Sequence, residues 1–139
     1  MDNDKKIILL ERSLERAAET LGDITDPVIQ QYYKNHPEAR TSFETHGLGN
    51  TVKLEAEMVE SVVYCIMNWF DRPEEIRIMF GSTVPHHEHT LNVSADWFGG
   101  LVDAAVSTIT ATIPETETDE RTIWQDIQSG LNQVILEAR

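Results

Sequence analysis

Apolar residues recur at every third or fourth position along the long segments of this chain, and this spacing limits its fold more than any other feature. Over residues 4–21 they form one stripe that includes Ile7, Leu10 and Leu14, and Gly22 follows as a stop signal. Such a stripe is typical of a surface helix that buries a single face. The same spacing predicts three further long helices, over 51–70, over 95–113 and after the polar segment 115–120.

Isolated prolines and glycines divide the rest of the chain into shorter helices. Asp26 is placed to cap a second helix, and Pro27 suits the first turn of that helix. A short helical turn is expected at 37–43, where a proline again stands first. Gly81 is expected to end one short helix, and Pro85 to lie near the start of the next.

One segment, VSTITATI at 106–113, is rich in β-branched residues and could form a strand. Val102, Val106 and Ile109 nevertheless recur at helical spacing across its start. We therefore interpret the segment as the second half of the 95–113 helix.

Ser94 is expected to cap that helix, which contains Gly99 and Gly100. Each glycine costs a helix about 1 kcal/mol relative to alanine, so we expect the pair to permit close packing against another helix. Seven or eight helices of unequal length, without a convincing strand, predict a single all-α domain over 1–139. Its crossed helices would enclose a pocket.

The chain is strongly acidic, since 24 acidic and 11 basic residues among 139 give a formal net charge of −13. This charge repels phosphate backbones and anionic bilayers, which argues against nucleic-acid and membrane partners. No segment approaches the roughly 20 apolar residues of a membrane span, and the N-terminus lacks the pattern of a secretory signal. Cys65 is the single cysteine, so an intramolecular disulfide is excluded and a cytoplasmic location is expected.

Three of the five histidines lie together in VPHHEHTLNVSADWF. On a helix, His86 and His89 share a face while His87 points elsewhere. The histidine cluster therefore has three interpretations: a surface pair, His86 with His89, that can hold zinc or nickel; a single inward His87; or a polar turn without a site. A four-ligand zinc site would need distant acids or His46, because only one cysteine is present.

The residues that follow His87 add a second pattern. Leu91, Val93 and Phe98 lie four, six and eleven positions after it. Here the sequence resembles the globin family, in which the proximal histidine is followed at those separations by apolar residues along the haem edge and by an aromatic residue.

The resemblance extends over essentially the whole chain. Pro37 and Phe43, in PEARTSF, match the proline that begins the third globin helix and the phenylalanine that packs on the haem. Ile29 matches a large apolar position of the second helix, and Tyr33 the aromatic position four residues further on. The segment 124–135 matches the closing helix.

The resemblance implies a globin-like fold with a haem b cofactor whose iron is ligated by His87. The second ring nitrogen of His87 would donate to Thr83, or to the backbone carbonyl of Thr83 or Val84. Haem is flat and largely apolar, so aliphatic and aromatic walls suit it. The residues expected to surround it are Phe43, Leu91, Val93, Phe98, Leu101, Met58, Val62 and Ile29.

The opposite, distal side of this pocket stays open to several readings. Met58 falls at the position from which globins contact the bound gas, and Val62 at the partner position four residues further on. The Met58 sulfur could also ligate the iron itself. The other distal candidates are Glu57, His46, Tyr32 and Tyr33.

The implied function is a single-domain, bacterial-type globin that reversibly binds a diatomic gas, O₂, NO or CO. Transport, sensing and detoxification would share one site, and enzymatic turnover would need a separate reductase. The alternative is a haem-free globin-like interaction or signalling module, which the polar residues Thr83 and His86 favour and His87 opposes. A homodimer face is conceivable around Trp69, Phe70 and Trp97, although core positions suit all three.

Overall fold

The structure, a computed structural model, describes residues 1–89, 91 and 93–139. This part of the chain contains helices and no strand, so the all-α prediction is confirmed. The seven helices of these residues are α1 (Asn3–Leu21), α2 (Thr25–Asn35), α3 (Pro37–His46), α4 (Thr51–Asn68), α5 (Pro73–His89), α6 (Ala95–Thr110) and α7 (Thr118–Ala138).

Helices α6 and α7 form the centre of the fold. They pack against each other, α2 crosses α6, and both α1 and α5 lie on α7. Helices α3 and α4 complete the structure by packing on α2 and on one another. The buried residues form one contiguous apolar cluster, to which every helix contributes.

The helix starts show one correct and one wrong capping prediction. Ser94 caps α6, because its hydroxyl accepts the N–H of Asp96 at 3.2 Å. Asp26 does not cap α2, which begins one residue earlier at Thr25. The N-cap position is Ile24, which has no capping side chain, but the carboxylate of the preceding Asp23 accepts the Thr25 N–H at 2.9 Å, and Asp26 lies within the first turn.

The predicted break between Gly81 and Pro85 is also wrong, because α5 is one continuous helix. Pro85 lies near its C-terminal end and removes only one helical N–H. Gly81, whose carbonyl loses that partner, is exposed and can be hydrated. Ile76, Phe80 and Val84 form a single buried stripe through the segment, and their packing outweighs the local cost.

Two glycines permit close contacts between elements. A Cβ atom at Gly100 would lie 2.4 Å from Nε2 of His36, so the predicted close packing at this glycine is confirmed. At Gly130 on α7 a Cβ would lie 2.3 Å from the indole of Trp69, which also has the Arg77 guanidinium 5.6 Å from its ring centre. Much of the Trp69 ring is therefore covered from within the chain.

Replacement of Gly130 by alanine is expected to lower the free energy of unfolding by about 1–3 kcal/mol, because the added methyl group must displace the indole of Trp69. The control is Gly81→Ala in α5, where a Cβ meets nothing within 4 Å. That change should raise stability by about 0.5–1 kcal/mol through helix propensity alone. Urea unfolding of both variants measures the contrast, and equal effects would contradict the packing role of Gly130.

A buried carboxylate ties α1 to α7. Glu120 is fully buried and accepts two hydrogen bonds from Arg16, at 3.0 and 3.1 Å, and one from the Ser13 hydroxyl at 2.9 Å. This residue belongs to the segment predicted to be a polar loop, but α7 already begins at Thr118. The two-pronged pairing compensates the carboxylate for its loss of water.

Arg16→Met should therefore destabilise the protein by roughly 3 kcal/mol, since it leaves the Glu120 carboxylate buried without its counter-charge. This figure is at the low end for a buried pair because the Arg16 side chain is 24% exposed. Arg12→Met, at an exposed site on the same helix, should change stability by less than about 0.5 kcal/mol. A thermal or urea melt in which both variants lose the same stability would refute the role of the pair.

Candidate functional site

A cavity of about 300 Å³ lies among α2 to α6. Its wall is mainly apolar, with a few polar groups, which is the usual composition of a small-molecule site. The residues that line it are Tyr32, Ser42, Phe43, His46, Leu54, Met58, His87, Leu91, Val93, Trp97, Phe98 and Leu101.

A second, smaller cavity of about 130 Å³ lies deeper between α4, α5 and α6. Four residues line both cavities and so stand at the boundary between them: Met58, His87, Phe98 and Leu101. The two cavities adjoin at these four side chains, and together we call them the slot, with the larger cavity as its outer compartment and the smaller one as its deeper, inner compartment. The remaining wall of the deeper compartment consists of Ser61, Val62, Cys65, Met79, Phe80, Thr83 and Val102.

His87 occupies the last turn of α5 at this boundary. Its Nδ1 lies 2.8 Å from the backbone carbonyl oxygen of Thr83, one turn earlier, which is one of the partners expected from the sequence. A carbonyl can only accept, so Nδ1 carries a proton, and in the neutral imidazole the lone pair is then on Nε2. Phe98 packs edge-on against the imidazole, with the ring centres 4.9 Å apart and the planes at 89°. The ring is thus held in one tautomer and one orientation.

The two other histidines of this turn do not reach the slot. His86 and His89 are exposed, and neither lines either cavity. Over residues 1–89, 91 and 93–139, no group of three or more histidine, cysteine, aspartate or glutamate side chains is arranged to hold a metal ion. The only nitrogen ligand that this histidine cluster presents to an enclosed space is therefore His87.

Helix α3 forms the outer wall of the larger cavity. Phe43 faces the cavity from this helix, and Ser42 and His46 border the opening, where an open surface groove begins. The groove shares Ser42, His46, Leu91 and Trp97 with the cavity. Trp97 is half-buried, so its partial exposure is explained by its position at the mouth of a pocket.

The two tyrosines of α2 have different environments. Tyr32 is 2% exposed and lines the larger cavity, and burial raises the pKa of its hydroxyl far above the ordinary value. Tyr33 lies outside the cavity wall and donates its hydroxyl to Glu55 at 2.7 Å. Burial and this bond raise the pKa of Tyr33 as well. Both hydroxyls therefore stay protonated, but only Tyr32 borders the slot.

Most of the residues selected from the sequence meet in this slot. His87, Phe43, Leu91, Val93, Phe98, Leu101 and Met58 line the larger cavity, and Val62 lines the smaller one. Ile29 is buried in the core and lines neither cavity, and Glu57 is exposed on the outer face of α4. Sequence reasoning missed Ser42 and Leu54, although Ser42 adjoins Phe43 and Leu54 lies one helical turn before Met58.

The single cysteine lies in the deeper compartment. Cys65 is 2% exposed, and burial raises the pKa of its thiol to about 11. Because the thiolate is the reactive form, the group is nearly inert at neutral pH. This agrees with the sequence interpretation of Cys65 as a small buried residue.

The native protein should react with iodoacetamide at pH 8 at least about 100-fold more slowly than the urea-unfolded chain, in which the thiol pKa is close to 8.5. The raised pKa also sets the sign of the pH dependence, so the native rate should climb as the pH increases toward 11. Mass spectrometry follows the single alkylation. Equal rates for native and unfolded protein would contradict the buried position of Cys65.

No family model, curated protein or solved structure matches this chain. Within the described residues, no helix is long and apolar enough to cross a bilayer.

Proposed function

We propose that this protein is a globin-like haem protein that reversibly binds a diatomic gas. The observation that supports it most is His87, an imidazole with a free Nε2 lone pair on the wall of a deep, mainly apolar slot. Haem iron takes such an imidazole as its axial ligand, and the hydrogen bond from Nδ1 to the Thr83 carbonyl is the outer contact that normally orients it. The globin-like arrangement of the helices is part of this proposal.

The residues of the slot suit haem b. Phe43, Leu91, Val93, Phe98 and Leu101 supply an apolar wall around a flat ring, and they reach it from three separate parts of the fold. Polar groups lie at one end, where Ser42 and His46 border the opening to the surface groove. Carboxylates of a bound ring would face that end, because burying them in the apolar compartment would cost far more.

Each group of the chain has a definite task in this scheme. When bound, haem supplies an iron with one coordination position that accepts O₂, NO or CO. His87 would hold the iron through Nε2, and the Thr83 carbonyl keeps the imidazole in the matching tautomer. Phe98, packed edge-on against the imidazole, limits its rotation. Val62 and Leu101 are apolar parts of the wall that would keep water away from a bound haem.

The test is the absorption spectrum of the protein reconstituted with haem, reduced and exposed to CO, for the wild type, His87→Ala and His89→Ala. The wild type and His89→Ala should give the same sharp Soret band, because His89 is exposed and outside the slot. His87→Ala should lose the band or shift it, and added imidazole should restore it by filling the vacated position.

A wild-type protein that forms no stable haem complex would refute the proposal, as would a complex unaffected by His87→Ala. Either result would favour a haem-free globin-like module whose slot is closed by its own side chains.

A further inference from the structure

We infer that the thioether of Met58 is the second axial ligand of the iron, so that the resting site is closed and the gas must displace a side chain. This inference rests on the proposed haem function. It assigns the coordination position that the sequence alone leaves open among Met58, His46 and the tyrosines.

Four residues lie where the two compartments of the slot meet. A flat macrocycle held by His87 would lie at the boundary between the two cavities, because His87 lines both of them. The boundary consists of Met58, His87, Phe98 and Leu101, which line both cavities. Of these four, only His87 and Met58 have atoms that bind iron. His46 and Tyr32 line the outer compartment alone, and therefore lie toward the edge of such a ring.

Met58 and His87 approach the slot from two different helices. Met58 lies on α4 and His87 on α5, and both side chains border the larger and the smaller cavity. The boundary between the cavities therefore has one candidate iron ligand on each of these two helices.

The chemistry of Met58 suits the role. Its sulfur is a neutral, polarisable donor, and haem iron accepts a methionine and histidine pair. Three rotatable bonds let the side chain swing toward the ring or away from it. A ligand that withdraws easily leaves the position available to a gas, but the gas must first compete with it. The apparent affinity for the gas is then the intrinsic affinity multiplied by the fraction of molecules in which the sulfur is not bound.

Methionine ligation also raises the reduction potential of haem, because the soft thioether favours ferrous over ferric iron. The closed site would therefore stabilise the gas-binding oxidation state while slowing gas entry. Both consequences can be measured separately from any activity.

The experiment compares the wild type, Met58→Leu and Met67→Leu after reconstitution with haem. Met67 is the matched control, because it lies on the same helix as Met58, is exposed and lines neither cavity. The wild type and Met67→Leu should show the weak long-wavelength charge-transfer band of ferric iron bound to a thioether. Met58→Leu should lose this band, lower the reduction potential and bind CO about tenfold faster, as expected if sulfur occupies roughly nine sites in ten.

A wild-type haem complex that depends on His87 but shows no thioether band overturns the inference and leaves the haem function intact. The same conclusion follows if Met58→Leu changes neither the reduction potential nor the CO rate. If the wild type forms no haem complex, the proposed function fails, and the inference fails with it. Circular dichroism of both leucine variants verifies that each retains the helical fold.

Discussion

The packing of α6 on α7 is the contact on which the other helices depend. Ile109 of α6 and Ile123, Ile127 and Leu131 of α7 are completely buried, and each removes an apolar side chain from water. Burial of one such side chain is worth about 1.5–3 kcal/mol, so this seam supplies a large part of the drive to fold. The remaining helices use the outer faces of the pair, with α2 on α6 and both α1 and α5 on α7.

The slot follows from how the other helices attach to this pair. Helices α4 and α5 both contact α6, and each touches α6 more extensively than the two touch one another. Space therefore remains between them, and the side chains of Met58 and His87 reach into it. The position of His87 depends in turn on α5 remaining helical through Pro85, because its hydrogen-bond partner is a carbonyl one turn back, at Thr83. A break at Pro85 would remove this geometry.

Two features restrict the functional interpretation. First, the acidic surface and the mainly apolar slot are separate. The fully buried carboxylate of Glu120 lies outside the slot, between α1 and α7, where Arg16 and Ser13 compensate it. Second, the chemically active atoms at the middle of the slot are a nitrogen and a sulfur, which suit a transition metal carried by a cofactor. No carboxylate lines the described part of either cavity.

Much of the fold could be predicted from residue spacing, whereas the residues of the candidate site were predicted from the resemblance to globins. Periodicity correctly assigned VSTITATI to a helix as far as Thr110, because burial on α6 outweighs β-branched propensity. The errors arose where a local signal competed with packing. Pro85 and Gly81 indicated a break, but a buried stripe runs through them. Asp26 matched a cap, but Asp23 was better placed to accept the first free N–H.

The sequence by itself determined the all-helical class and the apolar faces, because helical spacing decides which side chains share a face. It left His87 open between an inward residue, part of a surface pair and part of a polar turn, and the residues expected around it came from the resemblance to globins. Only the tertiary structure decided which faces enclose a cavity and which merely fill the core. Ile29 and Met58 have equivalent patterns along the chain, yet Ile29 is packed against other helices and Met58 borders the slot. The difference depends on how far neighbouring helices stand apart, and that distance is set by contacts between residues remote in sequence, such as Gly130 with Trp69 and Gly100 with His36.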